Sequence, residues 1–395
     1  MTTLVSSVSV LFAAFLLFTQ QFKTPLRTLV APSVSDLGLS SVFSRRAQMA
    51  LNQVANAIGD DNESIATAIT LEQLARESQA NHDVHHDCTW PFVEVKNRIV
   101  SPEESNLTIP SRIPRQIHVA WVHHDPSPGV PNRGRCLHYR HAQVVNEWKQ
   151  RLPNYSVYFH DDYMVDKLLR QDVWPEFPEL SKMMQCVQMR SAMLVDVWRQ
   201  LVLYKFGGFY ADMDMVPSEQ FTEETILPHV DFFCFSDGMN RPGQWAFGMA
   251  PACPVGYFTM EEIFKRIWEM PDVSAPKLVF VTGPDSLKHG YSKTFYWKKE
   301  TIYNEGLHTG MHNTTAHKYR QGKEREAFVT YENFLPMQNT TGNMTVKDEI
   351  KADTGVLHWT EERNNLKDKA NVVRGSCRDY LYDLERQKIA TSGRL

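Results

Sequence analysis

The chain has 395 residues, enough for one large domain with accessories, and its aromatic-rich composition supports a substantial core. The net charge is −4, and no long basic run appears. That argues against nucleic acid as a partner and requires any anionic ligand to be held by local groups.

In chain order, the first 22 residues carry no charged side chain, and "LVSSVSVLFAAFLLF" within them is strongly apolar. A helix of that length spans about 33 Å, enough for a bilayer. No small-x-small cleavage site follows, so residues 1–22 read as an uncleaved membrane anchor in preference to a signal peptide. Lys23 and Arg27 after the span would by themselves leave the body in the cytosol. Six glycosylation triplets oppose that, beginning at Asn62, Asn106, Asn154, Asn313, Asn339 and Asn343. They favour a lumenal body and a single-pass type II arrangement. The cysteines at 88, 136, 186, 234, 253 and 377 lack zinc-type spacing and permit up to three disulfides, with the pairing open.

Residues 23–87 read as a helical stem, rich in Ala, Ser, Gln and acids, through which an oligomer could form. His82, His85 and His86 near its end read as a loop. From Cys88 onward buried-strand patterns recur, so 88–395 is taken as the catalytic domain. "RQIHVAWV" predicts a strand, "HAQVVNEWKQRL" a helix stopped by Pro153, and "YSVYFHDD" a second strand. "RSAMLVDVWRQLVLYKF" is an almost wholly apolar helix broken by Gly207 and Gly208, and "FYADMDMV" is the strand after it. The alternation predicts an α/β fold on a mostly parallel sheet, with ligands at the carboxyl ends of the strands.

Asp212 and Asp214 stand at such an end. In extended backbone they would share one face and repel. A divalent ion with a taste for oxygen, Mn²⁺ or Mg²⁺, would relieve that repulsion and grip a diphosphate. A bare Asp-x-Asp triplet is more often a solvated turn, but the aromatic strand and the glycine pair before it weigh against that here. Asp196 and Arg199 interrupt the greasy helix three residues apart, on one face. They are either a buried structural pair or groups that meet a ligand.

"VDVWRQLVLYKFGGFYADMDMV" closely resembles the Asp-x-x-Arg…Gly-Gly…Asp-x-Asp block of glycosyltransferase family 32. "SRIPRQIHVAW", "EWKQRLPNYSVYFHDDY" and "VTGP" are similar to further segments of that family, in family order from about Ile113 to Pro284. The resemblance implies a GT-A-type nucleotide-diphosphosugar transferase fold and a metal-dependent, retaining enzyme; several members are fungal Golgi mannosyltransferases that use GDP-mannose. Carried over, Asp212 and Asp214 would be the metal and diphosphate pair. Asp196 and Arg199 would contact the donor, with His118 and Trp121 beneath the nucleotide and Gly207, Gly208 and Tyr210 around it. His358 would be a further metal ligand, although Trp359 stands beside it and the family's later Ser-Trp is missing. The expectation is a Golgi α-mannosyltransferase acting on a glycan, or on an inositol sphingolipid. The rivals are a non-catalytic sugar-nucleotide-binding protein and a haloacid dehalogenase-type phosphatase with an Asp nucleophile.

Overall fold

The structure, a computed structural model, describes residues 69–85, 87–101, 110–122, 134–171, 174–187, 191–237, 239–272, 278–295, 306–319, 328–331, 344–354 and 375–392. All lie in a compact unit, Ala68–Leu395; a second unit, Met1–Thr67, is outside the described residues. So are the expected anchor, most of the expected stem, and His358. Among the described residues no helix is long and apolar enough to cross a membrane.

The chain opens with α1 (Leu71–His85), β1 (Phe92–Glu94), β2 (Gln116–Ala120), β3 (Cys136–His138), α2 (Tyr139–Arg151), β4 (Ser156–His160), α3 (Asp162–Asp166), α4 (Leu180–Met184) and α5 (Ser191–Phe206). It continues through β5 (Gly208–Ala211), β6 (Met215–Pro217), β7 (Phe232–Ser236), β8 (Pro242–Met249), α6 (Pro254–Glu269), α7 (Leu278–Val281) and α8 (Pro284–Phe295). Last come β9 (Gly306–Thr309), β10 (Thr315–Tyr319), β11 (Val329–Tyr331), α9 (Val346–Thr354) and α10 (Cys377–Ser392).

Among the described residues seven strands form one sheet in the order β4-β2-β5-β8-β7-β10-β9. β4, β2 and β5 run parallel, as do β7 and β10; β8 and β9 are antiparallel to their neighbours. Side chains alternate across a strand, and here the alternation divides two cores. Tyr210, Phe232, Cys234 and Phe247 point to the layer of α4, α5, α6, α8 and α10. Phe209, Ala211, Phe233, Phe235 and Ala246 point to the other layer, where Trp148 and Val145 of α2 cover them. Helices thus cover both faces, and the carboxyl ends of β2, β4, β5, β7 and β10 share one edge.

The helix α1 falls inside the residues expected to be stem, yet it packs on the sheet edge. Leu71 and Leu74 are buried with Tyr158 and Met164. Arg135, wholly buried, donates to Ser78 Oγ at 2.8 Å, and Ser78 donates on to Asp161 at 2.7 Å. His82 is buried on this helix, not in a loop. Of the three disulfides allowed, two form: Cys88–Cys136 and Cys186–Cys377. Cys234 and Cys253 are buried thiols, each pushed up to about 12 by burial.

The two glycines that end α5 serve this packing. Gly207 and Gly208 have φ of 69° and 101°, in the left-handed region that a side chain rarely adopts. A Cβ on Gly207 would stand 2.6 Å from Pro114 Cδ and 2.7 Å from Pro251 Cδ. On Gly208 it would stand 2.7 Å from the Gln116 carbonyl oxygen. β2 with its lead-in, and Pro251 after β8, make this close approach. Gly207→Ala should lower stability by at least about 2 kcal/mol, read as a shift in the denaturation midpoint. Gly306→Ala is the control, because its φ is also positive at 95° but nothing lies within 4 Å of the added carbon. Equal losses in the two variants would contradict the packing role.

Candidate active site

The strand expected to run through "FYADMDMV" stops at Ala211. Asp212 turns the chain: its carbonyl accepts from Met215 N–H at 3.0 Å, and its own N–H donates to the Trp245 carbonyl at 2.8 Å. Past the turn, β6 leaves the main sheet and pairs with β11. Asp212 and Asp214 are therefore not aligned by a strand, as the sequence reading expected. A turn at the sheet's carboxyl edge holds them instead.

A buried cation organises the site. Arg199 of α5 reaches Asp196 Oδ1 from Nη2 at 3.0 Å and Asp212 Oδ1 from Nη1 at 3.1 Å. Nη1 also donates to the Gln244 carbonyl at 2.8 Å, and the guanidinium lies over the Tyr210 ring, 4.5 Å from its centroid. The Tyr210 hydroxyl donates to Asp212 Oδ1 at 2.5 Å, and Thr282 donates to Asp196 Oδ2 at 2.7 Å. Gln244 closes the ring by donating from its amide to the Thr282 carbonyl at 3.0 Å.

The edge of β8 is shaped for this. Cys234 faces Phe247, but Ser236 faces Pro242, so Phe235 alone is opposed by the stretch Gly243–Ala246. Such a bulge re-aims side chains and carbonyls next to a site. Here it lets the Gln244 and Trp245 carbonyls reach Arg199 and the Asp212 amide.

The electrostatics follow. Burial weakens the Arg199 guanidinium's hold on its proton, but Tyr210, Asp212, Asp196 and Asp214 outweigh it and the net shift is upward. Asp214 thus lies near enough for its charge to act on Arg199. Burial raises the Asp212 carboxyl, against the lowering effect of Arg199 and the Tyr210 hydroxyl. Both side-chain contacts of Asp212 among the described residues fall on Oδ1, and 30 % of its side chain is exposed. That leaves Oδ2 outside those two contacts; Asp214 is half-buried, with its Oδ1 shielded from solvent.

The expected site residues divide into two groups. Asp196, Arg199, Tyr210, Asp212 and Asp214 come together. Asp196 and Arg199 are only 8 % and 7 % exposed, and their polar atoms are engaged with protein groups, so they hold Asp212 from behind. Trp121, half-buried past the end of β2, lies on the same edge with its ring 4.5 Å from that of His141. His118, by contrast, is wholly buried, with both ring nitrogens turned to groups of the core. Its Nε2 is 3.0 Å from the Gly207 carbonyl and its Nδ1 is 3.0 Å from His160 Nε2. Burial pushes His118 down to about 4 and His160 well below its ordinary value, so both are neutral. A carbonyl only accepts, so His118 donates from Nε2 and accepts from His160. It pins the turn between α5 and β5. The link from Thr282 to Asp196 had no spacing signal, although Thr282 lies in the "VTGP" stretch.

Residues 139–233 match the family model described as a glycosyltransferase sugar-binding region containing a DXD motif. This segment, from α2 to the start of β7, holds Asp196, Arg199, Asp212 and Asp214; Ile113–Trp121 and Val281–Pro284 lie outside it. No curated protein matches the chain. Among solved structures the chain is similar to the PaToxG glycosyltransferase, at 14% identity over 46% of this chain and 69% of that one, TM-score 0.33. It is also similar to a cysteine-to-serine double mutant of a transferase, at 12% identity over 53% and 97%, TM-score 0.32. Likenesses this distant carry no argument about chemistry. The matched segment supplies Asp196, Arg199, Tyr210, Asp212 and Asp214 of the buried cluster, whereas Gln244 and Thr282 come from outside it.

Burial pushes the Asp196 carboxyl up to about 6 from its ordinary 3.8, against Arg199 and Thr282. A carboxyl that holds its proton more tightly in the folded chain costs nothing below the unfolded value and costs in full above about 6. It draws stability down as pH rises through that window. Asp196→Asn should flatten the decline by on the order of 1–3 kcal/mol, measured by denaturant unfolding at steps of pH. A wild-type stability that instead climbs through the window, with no change in the variant, would contradict this.

Proposed function

We propose that this protein is a glycosyltransferase that moves a hexose from a nucleoside diphosphate donor to a glycan. The observation that carries the reading is the half-exposed Asp212. Arg199 and Tyr210 hold it by one oxygen, at the edge of the sheet where such folds bind ligands, with Asp214 two residues beyond in the turn. The donor set fits a hard divalent ion, Mn²⁺ or Mg²⁺, held by Asp212 Oδ2 and Asp214. Such an ion, when bound, neutralises charge on the departing diphosphate. His358 lies outside the described residues and is not needed for this argument.

The chain's own groups do the rest. Arg199 balances the charge of Asp196 and Asp212, so the outer carboxylates can approach one another without unfolding the turn. Tyr210 fixes the angle of Asp212, and the main-chain tie to Trp245 fixes its height on the edge. In the transfer, the acceptor hydroxyl oxygen bonds to the anomeric carbon as the bond from that carbon to the phosphate oxygen breaks. The hydroxyl proton passes to the departing diphosphate. A phosphatase nucleophile is disfavoured, because Asp212 is tied on one oxygen to Arg199 and Tyr210 and lies in the middle of the domain, not near its start. The resemblance to family 32 supports mannose from GDP-mannose, retention of configuration, and a Golgi type II setting.

Asp214→Asn should leave the melting temperature nearly unchanged and reduce transfer by about 10²–10³-fold. It should also remove the thermal stabilisation that Mn²⁺ with GDP gives the wild type. Near-normal turnover would refute the role. The lumenal setting is tested at Asn313, exposed in a tight turn with φ of 57°. Asn313→Gln, in protein from a secretory host, should lower the apparent mass by one glycan, and enzymatic deglycosylation should abolish the difference. Equal masses before deglycosylation would count against glycosylation there.

A further inference from the structure

Trp90 is 75 % exposed, an unusual place for the largest side chain. It is nonetheless held firmly. Its ring stacks on that of Tyr139, with centroids 5.0 Å apart and planes 19° from parallel. Cys88, two residues before it, is bridged to Cys136. Phe92 N–H donates to the Thr89 carbonyl at 2.9 Å, and Tyr139 N–H donates to the Pro91 carbonyl at 3.0 Å. The turn that carries Trp90 is thus tied on both sides, by the β1–β3 pairing and by the disulfide.

Tyr139 is braced in its turn. Arg140 lies over its ring, 5.1 Å from the centroid, and donates to Glu349 at 2.8 Å; the Tyr139 hydroxyl also donates to Glu349. His138 meets Asp353 of the same helix, α9, at 3.0 Å. An exposed, rigidly backed aromatic plate matches the C–H face of a pyranose ring, which stacks on such a surface. The position agrees. Tyr139 opens α2, and two residues on, His141 packs against Trp121 at the carboxyl end of β2. The plate therefore flanks the edge that carries Asp212 and is separate from the carboxylate cluster.

We propose that Trp90, backed by Tyr139, is a subsite that stacks a pyranose ring of an oligosaccharide acceptor. This rests on the transfer reaction proposed above. The test compares wild type, Trp90→Ala and Trp90→Phe with mannohexaose and methyl mannoside as acceptors, alongside donor hydrolysis without acceptor. Trp90→Ala should raise KM for the hexasaccharide about tenfold. KM for the monosaccharide, donor hydrolysis and melting temperature should not change, and Trp90→Phe should restore part of the loss. Saturation-transfer NMR with mannohexaose and cellohexaose should show ring-proton contact in wild type that disappears in Trp90→Ala. Equal KM changes for the two acceptors, or no contact in wild type, or contact that survives Trp90→Ala, would overturn the subsite. If wild type hydrolyses no donor at all, the transferase reading fails, and the NMR comparison still decides the plate.

Discussion

One buried guanidinium sets the terms for the site. Burying a lone carboxylate costs several kcal/mol, and so does burying a lone guanidinium. Arg199 meets Asp196 behind it and Asp212 ahead of it, and each makes the other tolerable inside the fold. Further hydrogen bonds fix their geometry: Thr282 on Asp196, Tyr210 on the same Asp212 oxygen, and the Gln244 carbonyl on the guanidinium. A buried pair of this kind is weak support for stability, but it is strong support for position. The carboxylate that reaches the edge arrives already aimed, with little freedom left to lose when a ligand binds.

Much of this was legible in the sequence, for identifiable reasons. A three-residue spacing on a helix puts two side chains on one face whatever the fold, so the meeting of Asp196 and Arg199 could be read directly. The alternation of aromatic residues gave the strands, because each face of a sheet between two helical layers must be apolar. What the sequence could not show was which side of the choice Asp196 and Arg199 would take, since burial depends on what packs from elsewhere. It also could not show that the strand ends at Ala211. An Asp-x-Asp run is compatible with extended backbone, and the turn depends on a carbonyl of β8 brought in by a bulge. The core partners of His118 were hidden for a similar reason. The family resemblance set it near the nucleotide, and only the folded chain brings the Gly207 carbonyl and His160 to its ring.

The boundary of the domain shows the same dependence on long-range contacts. Residues 71–85 have the composition of a stem, yet they carry Ser78, which hydrogen-bonds both Arg135 and Asp161. A serine in an Ala-rich helix gives no hint of this. The polar network forms only once the sheet edge exists, and it turns a segment that would otherwise be a tether into part of the wall.

The bridge between Cys186 and Cys377 closes a loop of 191 residues, and that loop contains α5, the turn with Asp212 and Asp214, and Thr282. A protease that cuts once anywhere inside the loop would leave both fragments on one covalent molecule. Its mass on an unreduced gel would be almost that of the intact chain, and the break would show only after a thiol is added. Preparations judged whole without reductant could therefore include nicked protein.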